Sequence, residues 1–439
     1  MMVEDASGFK GQAERLVTPA SEPELLEILA EQVPITMAAA RTGLTGGCVP
    51  QGGWSVSLEK FQRIEICPGR AIVGPGVSLD ALQVAAARTR QFYAPDPTER
   101  TASIGGTIAT NASGSRSFRY GSTRRHILGL RVALMDGRVL NLRRGDKVDF
   151  ALPELPLPNT AKNTAGYALA PAMDWIYLFA GSEGTLGVVT EAELQLLPVP
   201  PDILAGVLFF DTDAAAIDAV DSWRDIEGLR MMEYFDANSL EFLRPHYPEI
   251  PRRAAAALLI EQESGDIDYW ADRAASGQTK DDSWFAMSDR DRERLRRFRH
   301  ALPELVNDTM RRRGFMKLGS DYAVPLTRNR EMLAEYHATL GRQQLDYVIF
   351  GHIGDAHVHV NILPKSQADF ESGQRAMLHF ARHAVSLGGT VSAEHGLGKR
   401  KAHLLTLQYS PQQIEAMKDV KRRLDPHWLL NRGNLFGMP

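Results

Sequence analysis

Pro95-Asp96-Pro97-Thr98-Glu99, then Thr101-Ala102-Ser103-Ile104-Gly105-Gly106-Thr107-Ile108-Ala109-Thr110-Asn111-Ala112-Ser113-Gly114, then Arg119-Tyr120-Gly121, is the stretch that decides the fold. It reads neither as a core helix nor as an alternating strand. Two prolines fix the entry turn, and Gly105-Gly106 removes two Cβ atoms where a backbone approaches something closely. A lone Gly-Gly would be read as surface loop. Here the loop holds few charges and lies between apolar, strand-like runs, which points to a bound ligand rather than to solvent.

Working outward, a second glycine stretch precedes it, Arg41-Thr42-Gly43-Leu44-Thr45-Gly46-Gly47. Successive backbone N–H groups in such a loop form a nest for phosphate oxygens. A third follows, Leu178-Phe179-Ala180-Gly181-Ser182-Glu183-Gly184-Thr185-Leu186-Gly187-Val188-Val189. Strands and helices alternate around them. Ser21 precedes the periodic run Leu25-Leu26-Ile28-Leu29, and Ser78 opens a helix to about Arg88. Ile35–Ala40, Trp54–Leu58 and Ala71–Val77 read as strands, and 128–140 as a hairpin turning at Asp136-Gly137.

The three segments, in this order, resemble the FAD-binding domain of the vanillyl-alcohol oxidase and D-lactate dehydrogenase family, with a PCMH-type fold. The resemblance covers nearly the whole chain. It implies FAD contacts from Arg41, Thr42, Gly43, Leu44, Thr45, Gly46 and Gly47. It adds Pro95, Asp96, Thr101, Ser103, Gly105, Gly106, Thr110, Asn111, Ser113 and Gly114, then Glu183, Gly184 and Val189, and finally Asn434. Ala38-Ala39-Ala40-Arg41 departs from the usual glycine-bearing start of the first loop, so Arg41 would bring a charge to the pyrophosphate instead. No His or Cys stands between Ala38 and Gly43, where some relatives tether the flavin. The cofactor is therefore expected to be non-covalent FAD.

The chain of 439 residues exceeds one hydrophobic core. With 44% hydrophobic and 24% charged residues it has the make-up of a soluble globular protein. A net charge of -4 gives no support for nucleic acid as a partner. No apolar run spans a bilayer, and the acidic N-terminus lacks the apolar core of a secretory signal. Cys48 and Cys67 read as packing residues of a reducing, cytoplasmic compartment. Two cysteines cannot hold an iron–sulfur cluster, so electrons would leave by another route: a quinone, a cytochrome, an electron-transfer flavoprotein or oxygen. A homo-oligomer is left open.

The fold expected is α+β: a two-part FAD domain over 1–200, an α+β cap with an antiparallel sheet over 201–385, and a terminal segment over 386–439 that returns to the FAD domain. In the cap, Gly206–Phe210 and Ala255–Glu261 read as strands, 214–223 as a helix, and 289–302 as a basic helix.

Tyr347-Val348-Ile349-Phe350-Gly351-His352-Ile353-Gly354-Asp355-Ala356-His357-Val358-His359-Val360-Asn361-Ile362 reads as strand, tight turn, strand. Ala356, Val358, Val360 and Ile362 would form an apolar face, and His357, His359 and Asn361 would point the other way. His352 lies where it can fold back toward His359, and two imidazoles suit a divalent transition metal. Val391-Ser392-Ala393-Glu394-His395-Gly396-Leu397-Gly398 adds a carboxylate and a further imidazole. Each piece alone is unremarkable, since a single histidine is usually a hydrogen-bonded core residue.

Together they resemble the metal site of metal-dependent D-2-hydroxyacid dehydrogenases, the branch that includes glycolate oxidase. That resemblance makes His352, His359 and Glu394 ligands of Zn, Mn or Fe, and His395 the catalytic base. His357 is assigned as a donor to a ligand or to substrate rather than as a fourth ligand. Arg299 would hold a substrate carboxylate, with Lys317 and Asn361 as further substrate contacts. The function implied is oxidation of a small D-2-hydroxyacid (D-lactate, D-2-hydroxyglutarate or glycolate) by proton abstraction and hydride transfer to flavin. A metal-independent flavin alcohol oxidase and a non-catalytic flavin-binding subunit are the rivals.

Overall fold

The computed structural model describes residues 1–276 and 283–438. Its mixed α+β architecture agrees with the reading of the sequence.

In the N-terminal half, Ser21 accepts a hydrogen bond from Glu24 N and starts the helix Glu22–Ala30. That helix buries Leu25 and Leu29, one turn apart. It connects Arg15–Val17 to Ile35–Ala38, and both pair parallel with Trp54–Ser57 between them. A five-stranded antiparallel sheet lies alongside, in the order Val139–Arg143, Ile127–Ala133, Val188–Gln195, Arg70–Val73, Ile64–Cys67. Its first two strands are the expected hairpin. Gly137 at φ +84 supplies the left-handed residue that its turn needs.

The glycine stretch between Pro95 and Gly121 differs from expectation in one respect. Ile104–Thr110 is a helix, where a loop was expected. Ser103 Oγ accepts from Gly106 N, Ile104, Thr107 and Ile108 are buried, and Asn111 closes it at φ 49. Two glycines and four β-branched residues lower helix propensity; the cap and the burial override it. Gly105 is required by Pro75, because a Cβ there would stand 2.7 Å from the proline ring.

The second half is built on a seven-stranded sheet, all antiparallel. Its order is Trp284–Ala286, Ile203–Phe210, Ala256–Glu263, Leu229–Asp236, Tyr347–His352, His357–Ile362, Leu318–Gly319. Side chains alternate across it. Val207, Phe209, Leu259 and Val348 pack against the helix Asp289–Arg313. Leu208, Phe210, Leu258 and Ile349 join the larger core on the opposite face.

The basic helix runs to Arg313, beyond the expected stop at Leu302, with Pro303 inside it. The proline removes one backbone hydrogen bond and costs about 3 kcal/mol. Leu302, Val306 and Met310 continue the buried stripe past it, and each such side chain is worth about 1.5–3 kcal/mol. Packing therefore wins.

The two halves meet through charge. Arg116 makes two bonds to Glu261, at 2.9 and 3.2 Å, and pairs with Asp96 at 3.1 Å. The terminal segment comes back to the first sheet: Ile35 N donates to Leu429 O, and Asn431 N donates to Ile35 O, both at 2.8 Å.

Candidate active site

The strands Tyr347–His352 and His357–Ile362 pair directly, with His352 opposite His357. Gly351 at φ +124 lets His359 lie close, since a Cβ there would come within 2.8 Å of its ring. The terminal segment then brings Glu394 onto the same spot. Its Oε1 lies 3.2 Å from His352 Nε2, 3.4 Å from His359 Nε2 and 3.6 Å from His395 Nε2. Gly396 at φ +72 and Gly398 at φ +52 make the turn that aims two sequence neighbours at one point.

One ligand atom from each of His352, His357, His359 and Glu394 lies within 4.8 Å of the others. His357 is fully buried and 3.2 Å from Asp321 Oδ1, yet neither ring nitrogen makes a hydrogen bond. The sequence reading kept His357 outside the ligand set; the geometry includes it in the cluster of four. Burial first, then the neighbouring His359, holds it near pKa 3, the neutral form that a metal needs. Four carboxylates converge here: Glu233, Asp321, Asp355 and Glu394. Among the described residues, Lys162 and Arg299 are the lysine and arginine at ion-pair distance from them. Acidic groups thus outnumber the lysine and arginine beside them, a setting that suits a cation. The donor set of imidazoles and carboxylate suits Zn, Mn or Fe.

His352 is oriented from behind, its Nδ1 2.5 Å from Glu233 Oε1. The other oxygen of Glu233 accepts from Arg299 Nε at 2.8 Å. Burial pushes the Glu233 carboxyl up, but Arg299 and His352 more than reverse this, leaving it well below the usual range. Arg299 is thus shared between Glu233 and Thr98, whose Oγ1 it reaches through Nη1 at 3.2 Å.

Asp321 organises the other side. It accepts from His395 N at 2.9 Å and Ser392 Oγ at 2.8 Å, and lies 3.5 Å from His395 Nδ1. Burial lowers His395 to about 4, against the partial support of Asp321 and Glu394. Its imidazole is therefore neutral at pH 7 and free to accept a proton. Asn361 lies on the same face with a buried amide nitrogen that has no partner. Lys317 is half-buried and set lower by burial and by the adjacent Lys401.

A cleft of about 310 Å³ runs from the residue 38–48 loop to this cluster. It is lined by Arg41, Thr42, Gly43, Leu44, Thr45 and Gly47, by Ser103, Gly105, Gly106, Thr110 and Ser113, by Glu183, Gly184 and Val189, and by Asn434. Glu394 and His395 line it as well. Arg41 Nε is buried there without a partner, a donor suited to a phosphate oxygen. Gly106 and Gly47 line the cleft with backbone alone, and a Cβ would stand 3.1 Å from Ser103 Oγ at the first and 3.4 Å from Asn434 Nδ2 at the second. These features fit a dinucleotide such as FAD.

Gly46, Pro95, Asp96, Thr101, Asn111 and Gly114 are outside that lining and shape the loops instead. Gly46 abuts Phe9, and Gly114 abuts Asp96 O. Asn111 accepts from Arg124 N, Thr101 is exposed, and Pro95 is buried. Two residues of the lining also have uses that the sequence did not suggest. Ser113 donates to Glu394 at 2.9 Å. Glu183 accepts from Leu397 N and Gly398 N, both at 2.7 Å.

Residues 199–435 match the model of the FAD linked oxidases, C-terminal domain, and residues 13–143 match that of the FAD binding domain. The chain belongs to the FAD-linked oxidases. Among its relatives is the D-lactate dehydrogenase of Archaeoglobus fulgidus, 31% identical over 96% of this chain and 90% of the relative. The D-2-hydroxyglutarate dehydrogenase of Xanthomonas citri pv. viticola is 32% identical over 93% and 85%. Glycolate oxidase subunit GlcD of Bacillus subtilis is 29% identical over 98% and 90%. An alkyldihydroxyacetonephosphate synthase structure shares the fold at TM-score 0.67 and 16% identity, covering 95% of this chain and 75% of that one.

In this FAD-linked oxidase, sequence reasoning did not single out Lys162, Glu233, Asp321 and Asp355 as site residues. Glu233 did leave a signal: an acidic residue in the middle of the strand Leu229–Asp236, every residue of which is buried. The others depend on partners far along the chain: Lys162 on Glu394, 232 positions away, Asp355 on Ser117, 238 away, and Asp321 on His395, 74 away. Among the described residues, no helix is long and apolar enough to cross a membrane.

Proposed function

We propose that this chain is an FAD-dependent, divalent-metal-assisted dehydrogenase of small D-2-hydroxyacids. One observation carries the reading: the cleft lined by the Arg41–Gly47 loop is also lined by Glu394 and His395. Cofactor and reacting group would then meet without a path through solvent. The relatives' names, D-lactate dehydrogenase, D-2-hydroxyglutarate dehydrogenase and glycolate oxidase, agree on a 2-hydroxyacid.

The residues divide the work. His352, His359 and Glu394, with His357 beside them, would hold the ion, which supplies Lewis acidity toward a hydroxyl and a carboxylate. FAD supplies a hydride acceptor. His395 accepts the hydroxyl proton, and Asp321 fixes its backbone for that task. Arg299 and Lys317 offer cationic donors to the substrate carboxylate, and Asn361 an amide donor. Buried walls exclude water around the reacting carbon. The electron acceptor is a separate partner, and a cytoplasmic setting suits the two unpaired cysteines.

Anaerobic mixing of the yellow protein with D- and L-forms of lactate, 2-hydroxyglutarate and malate, and with glycolate, tests the reading. Bleaching of the flavin by one or more D-acids or by glycolate, with no bleaching by the L-acids, is expected. Bleaching by simple alcohols or phenols instead would overturn it.

A further inference from the structure

Glu394 presents its two oxygens to different halves of the molecule. Oε1 faces the imidazoles of His352, His359 and His395, at 3.2, 3.4 and 3.6 Å. Oε2 faces away, toward the N-terminal half. There it accepts from Ser113 Oγ at 2.9 Å and from Lys162 Nζ at 3.2 Å. Lys162 is 4% exposed. It also donates to Gly114 O at 3.1 Å and lies 3.3 Å from Asp355 Oδ2.

A buried lysine needs one carboxylate for its charge. Asp355 alone would meet that need, and Ser117 Oγ already steadies Asp355 at 2.9 Å. The second contact, to the outward oxygen of Glu394, is then surplus to structure. Its effect is to remove the symmetry of the carboxylate. An unrestrained carboxylate can bind a cation through one oxygen or through both. One whose outer oxygen carries two donors has only the inner one to give.

We infer that Lys162, assisted by Ser113, is a positioning residue that fixes Glu394 as a one-oxygen ligand of the divalent ion. This rests on the metal reading of the same site. One ligand position is thereby left open for the substrate, and the N-terminal half has a direct hand in metal affinity. Lys162 and Ser113 belong to separate segments of that half. They meet on Glu394 only when the terminal segment is docked.

The test uses the FAD-loaded full chain of the parent, Lys162→Met, Lys162→Arg and Ser113→Ala. Zn²⁺ affinity is measured against a competing chelator, and the visible spectrum of the Co²⁺ form reports coordination number. Outer partners of metal ligands typically govern about 10–100-fold in affinity. Lys162→Met should weaken Zn²⁺ by about that factor with FAD content unchanged. Its Co²⁺ bands should weaken as the second oxygen joins the ion and coordination number rises. Lys162→Arg should recover part of the affinity, and Ser113→Ala should move both readouts the same way by less. Lys162→Met with the parental affinity and Co²⁺ spectrum overturns the inference. If that variant does not fold, a Ser113→Ala spectrum identical to the parent's overturns it. A parent that takes up no divalent ion overturns the metal reading, and this inference with it.

Discussion

Glu183→Gln separates what stabilises this protein from what makes it work. The Glu183 carboxylate is 3% exposed, and its two oxygens hold Leu397 N and Gly398 N at 2.7 Å. It pins the loop that carries Glu394 and His395. Burial pushes its pKa up to about 7, although the two N–H groups and Lys399 pull it back down. An ordinary glutamate titrates near about 4.3, so the folded state holds the proton more tightly than the unfolded one. Stability from this group is then complete below about pH 4.3 and is lost as pH rises through about 7. At about 1.4 kcal/mol per pH unit, the ionised carboxylate costs about 3–4 kcal/mol at pH 8.

Glutamine mimics the protonated form in shape but never ionises. Between pH 5 and pH 8 the variant should gain about 2–3 kcal/mol on the parent. Its amide turns one N–H₂ donor against a backbone N–H, so the loop loses one of its two bonds. A misplacement of about 1 Å can cost about 100-fold in rate, so flavin reduction by substrate should fall despite the added stability. Urea midpoints of both proteins from pH 5 to 8, with FAD release and anaerobic reduction rates, make the assay. Parallel stability profiles across that range would refute the reasoning, because Glu183 would then be titrating alike in both states.

Three further outcomes are expected. His395→Asn should keep FAD and metal while slowing substrate-driven flavin reduction by about 10²–10⁴-fold, the usual worth of a general base; loss of metal instead would place His395 among the ligands. Arg299→Lys should cut kcat/KM sharply with FAD retained, because one ammonium cannot replace a guanidinium that binds Glu233 and Thr98 from two nitrogens. Pro303→Ala should raise the thermal midpoint, since it restores a helix N–H and removes a penalty of about 3 kcal/mol; a fall would show that the proline is needed to seat the helix on its sheet.

Much of this architecture was legible from local pattern. The alternation in His357–Ile362 announced a strand with an apolar face and an imidazole face, and the glycines at 396 and 398 announced the turn that aims Glu394 and His395 together. Ser21 and Ser78 marked helix starts correctly. What escaped was whatever depends on distant partners. The helix Ile104–Thr110 was hidden because its glycines serve Pro75 and the cleft rather than helix propensity. Pro303 suggested a helix end because a stop signal is local, whereas the buried stripe that overrides it lies on the sheet. The divided carboxylate of Glu394 joins residues from both halves of the chain, and that of Glu233 joins His352 to Arg299 across the second half. No spacing in the sequence encodes such meetings.

The central claim is that the flavin cleft and the His–Glu cluster act on one substrate through a bound metal. The most direct measurement is anaerobic flavin reduction by the preferred D-2-hydroxyacid before and after chelation, with FAD content followed throughout. The account predicts that stripping the ion leaves FAD bound and abolishes reduction, and that adding back Zn²⁺, Mn²⁺ or Fe²⁺ restores it. Full-speed reduction in metal-free protein would contradict it.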